Sequence, residues 1–294
     1  MNDQKNIILC PNVDRDIDCK MTRRVGGMLE KRGRRAVFCP MFDDSAETGC
    51  ETENDGRFPG LKTSVIEREL PTAEMIITFG GDGTILRAAR LASGLGVPIL
   101  GINMGGKGFI AELEMDDIEL IDSIASGEYK LESRMMLDVE VLRDGETICG
   151  DYALNDVVLR GDNKVVDLTL FGDGQKISHF SGDGAVIATP TGSTAYSMAA
   201  GGPIVEPSAH NIIVTPICAH MLNAKSFVLV SDRRVSVNIG YNKHDPAYMS
   251  VDGGAQVRIR SGDVVNVRKS DRFTYLVRLS NRSFYKKVSE KLGQ

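Results

Sequence analysis

Five consecutive residues, Gly80-Gly81-Asp82-Gly83-Thr84, combine what phosphoryl chemistry asks of a loop. Glycines let a pyrophosphate approach bare backbone, and free N–H groups at a helix start attract phosphate. The segment follows an apolar run, Met75–Phe79, and precedes a helical pattern. Open α/β sheets bind ligands at that edge. Thr84 reads as a helix cap. Asp82 is the odd member, because a carboxylate repels phosphate unless it holds Mg²⁺ or accepts a proton from an attacking hydroxyl. Standing alone, the same five residues suit a glycine-rich turn with Asp82 as a simple cap equally well.

Three further segments carry polar groups in unusual places. Gly101-Ile102-Asn103-Met104-Gly105-Gly106-Lys107-Gly108-Phe109 nearly matches the phosphate loop GxxxxGK[ST]. Gly108 stands where a Mg²⁺-binding hydroxyl is required, so that motif is rejected and a second backbone-lined wall of a nucleotide cleft remains. Lys107 adds a flexible point charge to that wall, read as a contact to a triphosphate or pyrophosphate. From Asp183 to Ser197 a buried strand ends in hydroxyls, Thr189, Thr191, Ser193 and Thr194. Their neutral donors and acceptors suit ribose and base edges, although such residues also cap helices. Asn155-Asp156 interrupts the apolar run Tyr152–Leu159, and a polar pair inside a strand needs a partner. His179, His210, His220 and His244 lack a nucleophile in a strained elbow and read as structural.

The elements that must hold these segments change character midway. Strands are expected at Asn6–Cys10, Ala36–Cys39, Glu74–Phe79 and Val97–Ile102, and helices at Asp16–Arg32, Thr84–Ser93 and Met115–Ser126. Fully apolar strands alternating with helices imply a parallel sheet covered on its faces. Residues 43–60 are acidic and read as a mobile loop or insertion. Beyond about residue 131, Asp144-Gly145 and Asp173-Gly174 sit between alternating runs and predict hairpins. FVLVSDRRVSVNIG and VRIRSGDVVNVRKS add two further expected strand pairs. The fold expected is a Rossmann-like α/β nucleotide-binding domain over 1–130 and an antiparallel β domain over 131–272, with the active site between them. For residues 273–294 a return to the first domain stays open.

Bulk properties narrow the class. The 294 residues are 42% hydrophobic and 26% charged, with a formal net charge of -5. No basic footprint for nucleic acid or an anionic membrane exists. No apolar run reaches bilayer length, and the start lacks the pattern of a signal peptide. The six cysteines are scattered, without metal or disulfide spacing, and read as reduced thiols in a cytoplasmic protein.

Taken together, GGDGT, GINMGGKGFIAE, ALND, DGAVIATPTGSTAYSMAAGGPIVEP, TPICAH and SVDG occur in the order that resembles the NAD kinase family. The resemblance covers about residues 75 to 255, and TPTGSTAY is its most diagnostic run. It implies an enzyme that moves the terminal phosphoryl group of ATP to the adenosine ribose of NAD, giving NADP. It further implies Mg²⁺ dependence and assembly as a homodimer or homotetramer. Asp82 matches the family's catalytic aspartate, the acceptor of the 2′-hydroxyl proton, and Gly83 matches the glycine beside it that contacts NAD. Asn155 and Asp156 match its NAD-binding pair, Phe109 an aromatic in the adenine pocket, and Asp183 an NAD-contacting carboxylate. Thr191, Thr194, Ala195, Tyr196, Ser197, Met198 and Ala199 match the adenosine-binding loop. Gly80, Gly81, Gly83, Thr84 and Lys107 are expected to hold the triphosphate. The chain departs from the family at Gly106-Lys107, at Ser181, at Ala224-Lys225-Ser226 and at Asp252-Gly253-Gly254. A lipid kinase sharing GGDGT and a non-catalytic NAD or NADP sensor are the alternatives.

Overall fold

The computed structural model describes residues 6–40, 64–106, 108–162, 164–221, 224–240, 247–280 and 282–293. The acidic stretch 43–60 and Lys107 lie outside them. The described residues fall into two units, one running to Arg134 and resuming at Phe273, the other spanning Met135–Arg272.

The first unit is an α/β layer. In chain order it contains β1 (Asn6–Pro11), α1 (Lys20–Lys31), β2 (Arg35–Phe38), α2 (Ser64–Glu69), β3 (Ala73–Gly80), α3 (Asp82–Ala92), β4 (Ile99–Asn103), β5 (Leu113–Glu114) and α4 (Asp122–Ser126). The pairs β1–β2, β1–β3, β3–β4 and β4–β5 are all parallel. Burial on both faces explains why these strands read as unbroken apolar runs. Ile7, Leu9, Met75, Ile77, Phe79, Leu100 and Ile102 meet Val25 and Leu29 of α1 in one core. Pro11 is in register with Phe79, and Gly80 with Asn103. The loops after β1, β3 and β4 therefore leave the same carboxyl edge.

Three helix expectations need correction. The helix expected from Asp16 starts at Lys20, after a tight turn in which Asp18 and Cys19 have φ of 56° and 51°. The Asp16 carboxylate accepts from the N–H groups of Met21 and Thr22, both at 2.9 Å, and so draws the first helical turn onto a residue outside it. Residues 115–126 form a 3-10 stretch, Met115–Ile121, before α4. The helix expected at Thr84 begins two residues earlier, with Gly81 at its cap position. Thr84 is buried in its first turn and is no cap.

The second unit is two antiparallel sheets. One contains β6 (Lys130–Arg143) and β7 (Glu146–Ala153), and then β9 (Val166–Gly172), β10 (Gln175–Gly182), β14 (Val235–Ile239) and β17 (Val264–Arg278), with Lys130–Arg134 of β6 and Phe273–Arg278 of β17 belonging to the first unit. The other runs in the order β13 (Phe227–Val230), β12 (Asn211–Ile217), β11 (Gly184–Ala188), β8 (Asp156–Gly161), β15 (Ala247–Val251) and β16 (Val257–Ile259). Alternate residues from both sheets share a core, among them Leu137, Leu159, Leu168, Ile187, Val214, Val237 and Val265. The short α5 (Tyr196–Ala199) follows β11.

The two Asp-Gly hairpins form, with φ of 51° and 86° at Asp144-Gly145 and 50° and 79° at Asp173-Gly174. Two positive φ values are what the tight hairpin turn demands. The other two expected strand pairs do not form. β13 pairs with β12, whereas β14 pairs with β9 and β17. Likewise β16 pairs with β15 in the other sheet. At both places the chain changes sheets instead of folding back. The Asp173 carboxylate catches the N–H of Arg234 at the first crossing, and Asp263 catches that of Arg260 at the second.

The last helix, α6 (Phe284–Leu292), belongs to the first unit. Among the described residues no helix is long and apolar enough to cross a membrane.

Candidate active site

In the first unit the site is built around Asp82. Gly81 takes extended backbone before α3, which places Asp82 as the first helical residue. The loop after β4 then reaches it. Asp82 Oδ2 accepts from the Phe109 N–H at 2.7 Å, and Oδ1 from the Ile110 N–H at 3.2 Å. Among the described residues each carboxylate oxygen accepts one such bond, which leaves it a second lone pair. Two glycines permit this geometry. A Cβ at Gly108 would lie 2.7 Å from Asp82 Oδ1, and one at Gly80 would lie 2.2 Å from Thr84 Oγ1. Gly108 thus stands where a hydroxyl is missing because the Asp82 carboxylate occupies that space. Gly83, the second residue of α3, is exposed, and a Cβ added there would meet nothing within 4 Å, so the helix start presents bare backbone.

The 108–112 loop is itself fixed by charged groups that sequence reasoning passed over. Glu112 is 4% exposed, and its Oε1 accepts from Leu279 N–H at 3.0 Å and Ser280 N–H at 2.7 Å. Arg278 donates to the Ile110 carbonyl at 3.1 Å and to Glu112 Oε2 at 3.2 Å. Glu132 ion-pairs with both Arg134 and Arg278. Burial favours protonation of Glu132, but the two guanidinium charges outweigh it and hold the carboxyl below its ordinary value. Burial, aided by the Arg278 charge, pulls the Arg134 guanidinium down to about 10. The sequence signal available was the Glu in GFIAE and the Arg in YLVRLS, far apart in the chain.

The second unit holds the other cluster. Asn155-Asp156 does not lie inside a strand. β7 ends at Ala153 and β8 begins at Asp156, so Asn155 sits in the bend between them. The cause is Asp252, whose carboxylate accepts from the N–H groups of Leu154, Asn155 and Asp156 at 2.8, 2.7 and 3.0 Å. Asp252 and Gly253 adopt positive φ, 49° and 69°, which turns that carboxylate onto the bend. The SVDG motif was the signal for it. Asn155 is 7% exposed, and among the described residues its Oδ1 has no hydrogen-bond partner. Asp156 is 5% exposed, and burial together with the Asp252 charge pushes its carboxyl up to about 7.

The hydroxyl-rich loop closes over the same bend. Thr189 N–H donates to the Asn155 carbonyl at 2.8 Å, and Thr189 Oγ1 donates to the Leu154 carbonyl at 2.6 Å. A Cβ on Gly192 would fall 2.1 Å from the Asn155 carbonyl oxygen, so only glycine fits there. Several hydroxyls expected to face a ligand are used internally. Ser193 Oγ donates to the Pro190 carbonyl at 2.7 Å, Thr194 Oγ1 to the Thr191 carbonyl at 3.2 Å, and Ser197 Oγ shares a hydrogen bond with Thr215 Oγ1 at 3.0 Å. Ala195, Tyr196 and Met198 are half-buried and Ala199 is exposed. Asp183 is half-buried, and its backbone ties β11 to Ile217 and Gly161. Among the described residues no group of three or more His, Cys, Asp or Glu side chains could hold a metal ion.

Comparison with known proteins bears on both clusters. Residues 7–129 match the family described as ATP-NAD kinase N-terminal domain, and residues 154–279 match the ATP-NAD kinase C-terminal domain. An NAD kinase of Acetivibrio thermocellus is 36% identical over 280 residues, 94% of this chain and 93% of that protein. One from Ruminiclostridium cellulolyticum is 34% identical, covering 98% of each chain. Among solved structures, yeast NADH kinase complexed with NADH superposes with a TM-score of 0.81 at 24% identity, over 100% of this chain and 88% of that one. An NAD kinase from Archaeoglobus fulgidus in complex with ATP gives 0.73 at 22% identity, over 98% of both chains. With both halves matched in order and full-length relatives above a third identical, the chain belongs to the ATP-NAD kinase family.

Proposed function

We propose that this enzyme transfers the γ-phosphoryl group of ATP to the 2′-hydroxyl of the adenosine ribose of NAD, giving NADP, with Asp82 as the group that takes the hydroxyl proton. The observation that carries the reading is the Asp82 carboxylate, locked by two backbone N–H groups at the head of α3 with a lone pair left on each oxygen. Phosphoryl transfer passes through a loose transition state, so the enzyme's task is alignment and charge neutralisation. Asp82 orients the hydroxyl from the start and accepts its proton as the new P–O bond forms. The bare backbone of Gly80, Gly81 and Gly83, with Lys107, is assigned to the triphosphate. Thr84 supports that loop from inside. Mg²⁺ carried in with ATP would supply charge neutralisation on the phosphates.

NAD recognition is assigned to Gly83, Phe109, Asn155, Asp156 and Asp183, and to the loop residues Thr191, Thr194, Ala195, Tyr196, Ser197, Met198 and Ala199. Asn155 supports this most directly, since a buried amide oxygen without a partner is satisfied by a ligand donor. With Ser193, Thr194 and Ser197 hydroxyls held internally, contacts from this loop fall to backbone and to the Tyr196 face. We further assign the protein to the cytoplasm and to a homodimer or homotetramer, on family membership.

The test is the identity of the product. Purified protein with ATP, Mg²⁺ and NAD is expected to yield NADP phosphorylated at the 2′ position by NMR, and 2′-deoxy-NAD is expected to be inert. Turnover of 2′-deoxy-NAD, or phosphorylation of diacylglycerol in place of NAD, would refute the assignment.

A further inference from the structure

The 108–112 loop sorts its backbone groups by direction. Its N–H groups at Phe109 and Ile110 face Asp82. Its carbonyls are taken by cations of the C-terminal segment: Gly108 by Lys291 Nζ, Ile110 by Arg278 at 3.1 Å and Ala111 by Lys287 Nζ at 2.8 Å. The Gly108 carbonyl and the Phe109 N–H belong to one peptide group. Lys291 and Asp82 therefore sit at opposite ends of the same planar amide, an ammonium on its oxygen and a carboxylate on its hydrogen. A cation on the oxygen polarises the amide and strengthens what its N–H donates, as in any hydrogen-bonded chain.

We propose that Lys291, carried on α6, is a positioning residue that acts on Asp82 through the Gly108–Phe109 peptide, fixing and polarising the N–H that holds the catalytic carboxylate. The inference rests on the assignment of Asp82 above. No residue of α6 is buried, so the helix contributes little to a core, while two of its lysines, Lys287 and Lys291, donate to carbonyls of the loop. Lys291 Nζ also lies 5.8 Å from the centre of the Phe109 ring, which gives a competing route to the adenine end of NAD.

The two routes separate kinetically. Lys291→Met is expected to lower kcat roughly tenfold, part of what a direct charge-assisted hydrogen bond contributes. The Michaelis constants for NAD and ATP should stay within about twofold, the pattern of an interaction that matters only in the transition state. Lys291→Arg should restore most of the rate, and the melting temperature of both variants should match the parent. In an Asp82→Asn background Lys291→Met should have no further effect, because the group it positions is gone. Unchanged kcat, a raised NAD Michaelis constant at normal kcat, a loss that follows the melting temperature, or the same tenfold loss in the Asp82→Asn background would each overturn the proposal. Near-normal turnover by Asp82→Asn alone would instead remove the reading of Asp82 itself, and this inference with it.

Discussion

Replacing Asp156 by Asn should stabilise the protein at pH 8 while weakening its function. Asp156 is 5% exposed, and burial followed by the Asp252 charge raises its carboxyl from the ordinary 3.8 to about 7. A group whose folded value lies above its unfolded value gives stability that is full below about 4 and lost as pH rises through about 7. The difference of about three units, at roughly 1.4 kcal/mol each, sets an upper figure on the order of 4 kcal/mol for the penalty at pH 8. Asn copies the shape of the protonated acid and carries no charge. Urea unfolding at pH 4, 6 and 8 should show the parent losing stability relative to Asp156→Asn with each step, the two agreeing near pH 4. NAD affinity should fall in the same variant. Parallel pH profiles, or a variant less stable than the parent at pH 8, would refute the argument that Asp156 is held against its charge.

Other substitutions test the remaining parts. Asn155→Ala should raise the NAD Michaelis constant by roughly five- to a hundredfold, the range for a lost hydrogen bond to substrate, with little change in kcat. A normal constant with a collapsed melting temperature would make the residue structural. Lys107→Met should weaken ATP or NAD by about tenfold at low salt, with the penalty shrinking as ionic strength screens the charge. Gly192→Ala should lower the melting temperature by several degrees, because the added Cβ would lie 2.1 Å from the Asn155 carbonyl oxygen.

Much of this architecture was legible in the chain because it is local. The apolar runs of β1, β3 and β4 reported burial on both faces, and Asp144-Gly145 and Asp173-Gly174 encoded their own positive φ. Asp82 and Asn155-Asp156 stood out as polar groups where the pattern left no room for them. What escaped was set by partners distant in sequence. Nothing near Asn155 announces that Asp252, 97 residues on, will accept three successive N–H groups and bend the chain. Strand pairs expected at 227–239 and 257–269 failed for the same reason, since the choice of sheet depends on β9, β12 and β15 rather than on the turn. The brace of Glu112 by Leu279 and Ser280 spans 167 and 168 residues and leaves no periodic trace.

The most direct test of the account is the turnover number for NADP formation by the parent and by Asp82→Asn, both at saturating ATP, Mg²⁺ and NAD. A positioned general base contributes roughly 10²–10⁴ in rate. The account predicts that the parent makes NADP, and that the variant, folded and binding NAD as tightly, falls by that factor. No NADP from the parent, or a variant within a few-fold of it, would contradict the claim that this loop and its carboxylate carry the phosphoryl transfer.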